Sequence, residues 1–228
     1  MNYSINLHEV DADGAIAEAA DAVAGDTRMS FLRKAGVGAG AVVSGGAVLG
    51  ALAPAAFASG RPPASFGAGD IGILNYALTL EYLEAAFYNG ATAAGMSLDA
   101  QTSAFLKLAT ADENSHVAYL QKALGSKAAA KPKFNFKGTN TSPAMFKATA
   151  MVLENTGVHA YSGQALNIKS PAVVKAALSI LTVEARHASV IGLINSATSK
   201  SMAPNGPFDT PYTAKKVLEA VTDTGFIV

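Results

Sequence analysis

Two short stretches decide how this chain folds: Glu113-Asn114-Ser115-His116 and Glu184-Ala185-Arg186-His187. Each lies in a run whose apolar residues recur every three or four positions, the spacing of a helix with one buried face. At about 100° per residue, positions i and i+3 share a face, so each Glu–His pair addresses one point. Working outward, Glu81 precedes the first pair and Glu154 the second at nearly equal separations. Each of these is followed almost two turns later by a tyrosine, Tyr88 and Tyr161, which places each Tyr on the side of its own Glu. The chain therefore reads as a duplicated helical hairpin, each half giving one Glu, one Tyr and one Glu-x-x-His.

Capping signals set the helices around these motifs. Asp70 is the expected N-cap of a first helix running to about Asn89, with Gly90 as its stop. Ser97 or Asp99 opens a second helix that ends near Leu124, before Gly125. Ser142-Pro143 and Ser170-Pro171 are matched cap and first-turn pairs, opening helices to about Ile168 and about Ala197. Thr210-Pro211 repeats the device for a short fifth helix through about Val221. Phe134-Asn135-Phe136 is the nearest approach to a strand. The stretch from Gly125 to Thr141 is a long, Lys-rich connection read as solvated surface, whereas the first and third connections are brief. The expected fold is all-α: a ferritin-like four-helix bundle with one long crossover between helices two and three, plus a short C-terminal helix.

Composition narrows the chemistry. Among 228 residues there is no Cys, so thiol catalysis, disulfides and Cys-based metal sites are excluded. Lys plus Arg (17) balances Asp plus Glu (17), and no nucleic-acid signature is present. Beyond residue 58 the Glu residues are 81, 84, 113, 154, 184 and 219, and all but the last fall mid-helix among Ala, Leu, Val and Ile. Carboxylates so placed are costly to bury unless paired or bound to metal. Glu84, one turn from Glu81, is either a ligand, a hydrogen-bond partner of one, or exposed. His159 lies about 140° around the helix from Glu154 and reads as off-site. Arg186 either faces outward or pairs with an acid such as Asp112, and Asp112 either orients a His or is solvated.

Residues 80–88 read LEYLEAAFY. With the two Glu-x-x-His motifs, the chain resembles the ferritin-like di-metal carboxylate superfamily, and within it exported ferritin-like domain proteins of the desiccation-related type. The resemblance implies Glu81, Glu113, His116, Glu154, Glu184 and His187 as metal ligands, with Glu113 and Glu184 bridging. Tyr88 and Tyr161 would hydrogen-bond a ligand carboxylate or act as redox-active phenols. Four carboxylates and two imidazoles suit a di-iron or di-manganese centre better than Mg or Ca. The implied partners are metal ions and O₂ or peroxide, and the implied activity is that of a ferroxidase or a peroxide-consuming oxidoreductase. The alternative is a non-enzymatic stress or desiccation-related protein, or a self-assembling structural one, on the same fold.

The N-terminal region is a different material. Residues 1–26 are acidic, and residues 35–58 carry no charge, follow Arg28, Arg33 and Lys34, and end in Ala56-Phe57-Ala58. That is the order of a cleavable export signal. Thr27 to Arg33 resembles the twin-arginine motif, with Met29 where the second arginine would stand. The expected organisation is leader and export signal over 1–58, linker over 59–69, bundle over 70–197 and tail over 198–228. The location would be periplasmic or extracellular, with membrane contact only if residues 35–58 are retained. A homo-oligomer is compatible with this organisation.

Overall fold

The computed structural model describes residues 60–196 and 198–228; the expected leader and export signal lie outside the described residues. The helices are α1 (Gly69–Ala94), α2 (Ala100–Leu124), α3 (Pro143–Gln164), α4 (Pro171–Asn195), the single turn α5 (Ser199–Met202) and α6 (Ala214–Thr224).

α1 runs past Gly90 and stops at Gly95, whose left-handed backbone (φ 59°) a side chain would strain. Gly90 serves close packing instead, since a Cβ there would collide with the Asn140 side chain. Asp70 is not the cap either, because Ala68 holds that position. Its carboxylate accepts the backbone N–H groups of Lys169 and Ser170 at 2.9 and 2.8 Å, tying the start of α1 to the start of α4. Asp99 does cap α2, accepting from the Thr102 N–H at 2.9 Å. Pro143 and Pro171 open α3 and α4, where a missing N–H costs nothing. α3 ends at Gln164 in a 3₁₀ turn, short of the expected Ile168, and α4 ends at Asn195. α6 starts at Ala214, with the Thr213 hydroxyl accepting from the Lys216 N–H at 3.2 Å; Thr210-Pro211 lies ahead of the helix, outside any regular element.

α1 packs on α2 and α3 on α4, and the two hairpins meet through α1–α3 and α2–α4 contacts. Phe87, Phe105 and Phe146 are buried in the core, Phe87 stacking on Phe146 at 5.6 Å. Truncating such a ring, as in Phe146→Ala, costs about 3–5 kcal/mol. The crossover is better anchored than a solvated loop: Phe136 is buried, 5.4 Å from Phe87 and 5.3 Å from Phe226. Phe134 forms an isolated antiparallel bridge with Ile227, not a strand. The residues before α1 are also docked, with the Gln164 amide donating to the Gly60 carbonyl at 3.0 Å. The tail crosses α3 where Gly163 lacks a side chain that would collide with the Tyr212 backbone.

Candidate metal centre

Each of the four long helices turns its acidic residue inward. Glu81, Glu113, Glu154 and Glu184 are fully buried, and Glu84 is nearly so. His187 is buried, and the His116 side chain keeps a small exposed edge. His116 Nδ1 stands 3.2 Å from Glu81 Oε2, 3.1 Å from Glu113 Oε2 and 3.2 Å from Glu184 Oε1. His187 Nδ1 stands 3.2 Å from Glu113 Oε1 and 3.3 Å from Glu154 Oε2. The pairs 113/187 and 116/184 advance in opposite directions along α2 and α4, so those helices run antiparallel and their i, i+3 pairs interlock.

α1 and α3 are antiparallel by the same reasoning. The Tyr161 hydroxyl donates to Glu81 Oε1 at 2.5 Å, and the Tyr88 hydroxyl donates to Glu154 Oε1. Each Tyr therefore serves the Glu of the other half, not its own as the spacing suggested. Two turns separate a Tyr from its own Glu by about 10 Å along the axis, whereas the antiparallel neighbour brings the opposite Glu level with it. In both cases one carboxylate oxygen is occupied and Oε2 is left facing the His cluster.

Two quartets of ligand atoms result: Glu81, Glu113, His116 and Glu184, and Glu113, Glu154, Glu184 and His187. Within each, the atoms lie within 4.8 Å of one another, and Glu113 and Glu184 belong to both. One ring N–H cannot serve three oxygens. Glu113 Oε1, Glu154 Oε2, both oxygens of Glu184 and His187 Nδ1 are buried without an aligned hydrogen bond. Orphaned buried polar atoms are rare, and a shared cation would satisfy all of these. An ion with bonds of about 2.1 Å spaces adjacent ligand atoms by ~3.0–3.4 Å, which the imidazole–carboxylate separations match. The donor set of carboxylate oxygen and imidazole nitrogen, with no thiolate, fits first-row transition ions.

Electrostatics agree. Carboxyl groups taken out of water and set against one another resist ionising. Burial and the Glu113 charge push Glu81 up to about 8. Burial, then Glu184, holds Glu84 well above its ordinary range; burial, then Glu113, does the same for Glu184. Glu154 is raised by burial, which outweighs its close approach to His187. Burial would raise Glu113, but the close His116 and His187 imidazoles overcome it and take Glu113 alone down, to about 2. Burial likewise opposes charge on His187, yet its Glu113 and Glu154 contacts raise it to about 11. The cluster thus holds protons that bound cations would displace.

The residues left ambiguous by the sequence find places. Asp112 Oδ2 lies 3.1 Å from His187 Nε2, an orienting contact that leaves Nδ1 facing the carboxylates. Arg186 is exposed and donates to the Thr182 carbonyl at 3.1 Å. His159 lies off the site, stacked on Tyr212 at 4.2 Å. Glu84 joins neither quartet, but a Cβ on Gly157 would lie 3.5 Å from both its Oε1 and Glu184. Gly157, which the motif reading did not include, therefore lies against both acids at ordinary contact distance. Aligning LEYLEAAFY with residues 153–161, LENTGVHAY, would have exposed it, because Gly157 stands where Glu84 stands in the first half. His116 lies at an open groove between α2 and α4, with Tyr119, Ser179 and Val183 among its walls.

A bundle of four long helices around two carboxylate–imidazole quartets sharing two acids defines a potential di-metal protein of the ferritin-like class. The chain belongs to the ferritin-like domain family, whose model matches residues 69–196. No curated protein matches it in sequence.

Proposed function

We propose that this protein is an exported di-iron or di-manganese oxidoreductase acting on dioxygen or peroxide. The observation that carries the reading is the pair of quartets sharing Glu113 and Glu184. Glu81, Glu113, His116 and Glu184 would hold one ion, and Glu113, Glu154, Glu184 and His187 the other. Bound there, an iron or manganese pair supplies one electron per ion, enough to reduce dioxygen, with two protons, to hydrogen peroxide, or peroxide, with two protons, to water.

The chain's own residues do the rest. Tyr161 and Tyr88 fix Glu81 and Glu154 through their outer oxygens, leaving Oε2 of each for the ion. With a metal bound, His187 Nε2 would donate to Asp112, so that Nδ1 carries the lone pair. The buried faces of α1 and α3 exclude water, while the groove beside His116 would be the way in for reactants. Export rests on residues 28–58, with their basic flank, uncharged core and Ala-x-Ala end.

Reconstitution of the full chain with Fe²⁺ or Mn²⁺, followed by elemental analysis, should find two ions per chain, one for each quartet. Ferrous oxidation by dioxygen and peroxide consumption then measure turnover. Less than about one ion per chain overturns the proposal. N-terminal sequencing of exported protein should begin at Ser59.

A further inference from the structure

The two histidines of the centre are alike on one edge of the ring and unlike on the other. Nδ1 of each faces the carboxylates. Nε2 of His187 lies 3.1 Å from Asp112 Oδ2, whereas Nε2 of His116 meets no partner among the described residues. The cause lies in the repeat. Asp112 precedes Glu113 and Val183 precedes Glu184, and antiparallel packing sets each of them beside the histidine of the opposite helix. Val183 offers methyl groups where the other half has a carboxylate.

The groove in front of this ring, about 520 Å³, has room for a ligand of several carbons. Among the described residues no acid lines it, and Lys175 brings its only fixed charge. The Ser115 and Ser179 hydroxyls are given to carbonyls of their own helices, those of Ala111 and Lys175. The half-exposed Tyr119 hydroxyl makes no such bond among the described residues. A ring whose Nδ1 is given to a cation carries its proton on Nε2. The groove therefore presents donors with no acceptor of its own to receive them. Lys175 stands eight residues before Val183, about 12 Å along α4, so it attracts an anion into the groove rather than sharing one with His116. Ala176, Ile180 and Val183 make the wall between them apolar. That wall suits hydrocarbon behind a single carboxylate, and it cannot supply the many donors a phosphate dianion needs.

We propose that the groove at His116 binds a small organic monocarboxylate, which accepts a hydrogen bond from His116 Nε2 and does for that half what Asp112 does for the other. The inference rests on the two-ion reading of the centre and deepens it, by making one half responsive to a soluble acid. Without the ligand, the ion beside His116 is held more weakly than the ion beside His187.

Benzoate is the probe and benzamide its neutral isostere, used on the full chain loaded with Zn²⁺, which accepts carboxylate and imidazole ligands and has no redox chemistry. A crystal structure should place one benzoate oxygen within hydrogen-bond distance of His116 Nε2, with the ring against Ile180. Competition with a chelator should show one ion held about tenfold more tightly in saturating benzoate, the lower end of what a partner to a ligating His contributes, and the other ion unchanged. Benzamide should have no effect. Val183→Asp installs the missing acid in the chain; it should reproduce the gain without benzoate and abolish the response to it. Val183→Leu, which fills the same place without an acceptor, should give neither gain nor response, and it keeps the test decisive should the first variant fail to fold. Benzoate bound directly to an ion overturns the proposal, as do a benzamide effect equal to that of benzoate and a folded variant of either kind that responds to benzoate as the wild type does. Failure to load two ions is read separately, by elemental analysis: it removes the two-ion reading and the ligand's role with it.

Discussion

Glu81, His116 and Tyr161 form one half of the centre and Glu154, His187 and Tyr88 the other, with Glu113 and Glu184 common to both. The same repeat builds each half, and antiparallel packing relates them by an approximate two-fold. They differ at two matched positions. Asp112, which orients His187, corresponds to Val183, so His116 has no equivalent acid and faces an open groove. Glu84 corresponds to Gly157, so one half carries a fifth buried carboxylate and the other a glycine that lies beside it. The common features are those needed to hold ions; the differences lie where substrate access and charge balance are set.

The strongest test removes what the halves share. Replacing Glu113 and Glu184 together by Ala should abolish both ions, taking metal content from two per chain to near zero, because each acid belongs to both quartets. A double variant that binds as much metal as the wild type would show that the sites are elsewhere.

Asp112→Asn acts on one half only. It should weaken the His187-side ion by about 10–100-fold, the usual effect of disturbing the partner of a ligating His, and leave the other ion in place. Competition titration with a chelator would resolve the two affinities. Equal weakening of both would erase the distinction drawn between the halves.

Metal removal should reverse the pH dependence of stability. Glu81 is raised to about 8 from an ordinary value near 4.5, and Glu84, Glu154 and Glu184 are raised with it. The folded metal-free chain therefore binds more protons than the unfolded one above about pH 4.5, and its stability falls as pH rises toward 8. His187, raised to about 11, extends the fall to higher pH, whereas the depressed Glu113 matters only in acid. Bound cations replace those protons, so the loaded chain should hold or gain stability over the same range. Thermal melts between pH 5 and 8, with and without chelator, should diverge by several degrees; a metal-free Tm that climbs toward pH 8 would contradict the proton-loaded cluster.

The smallest effect is expected from Glu84→Gln, which removes an ionisable group without changing shape. The folded chain then no longer has to protonate this acid, so the Tm of the metal-free chain should rise by a few degrees at neutral pH, with metal affinity modestly lowered. A large loss of metal would promote Glu84 to a ligand of the same rank as Glu81.

The helical architecture was legible because its signals are local. The 3.6-residue periodicity, Asp99 as a cap, and Pro143 and Pro171 in first turns each act within a few residues of the chain. The same local reasoning misplaced the end of α1 and the start of α6. Gly90 answers to Asn140 rather than to its own helix, and Thr213, one turn beyond Thr210, supplies the cap. Asp70 likewise looked like an N-cap and instead binds the approach to α4.

For the centre, the sequence by itself determined which acids and imidazoles share a helix face, since i, i+3 spacing and helix pitch fix that within each segment. It also showed that Cys takes no part. Only the tertiary structure decided which tyrosine serves which glutamate, that Asp112 belongs to His187, and that Gly157 lies against Glu84 and Glu184. Those outcomes depend on the direction and level of helices far apart in the chain, which antiparallel packing sets and no local pattern encodes.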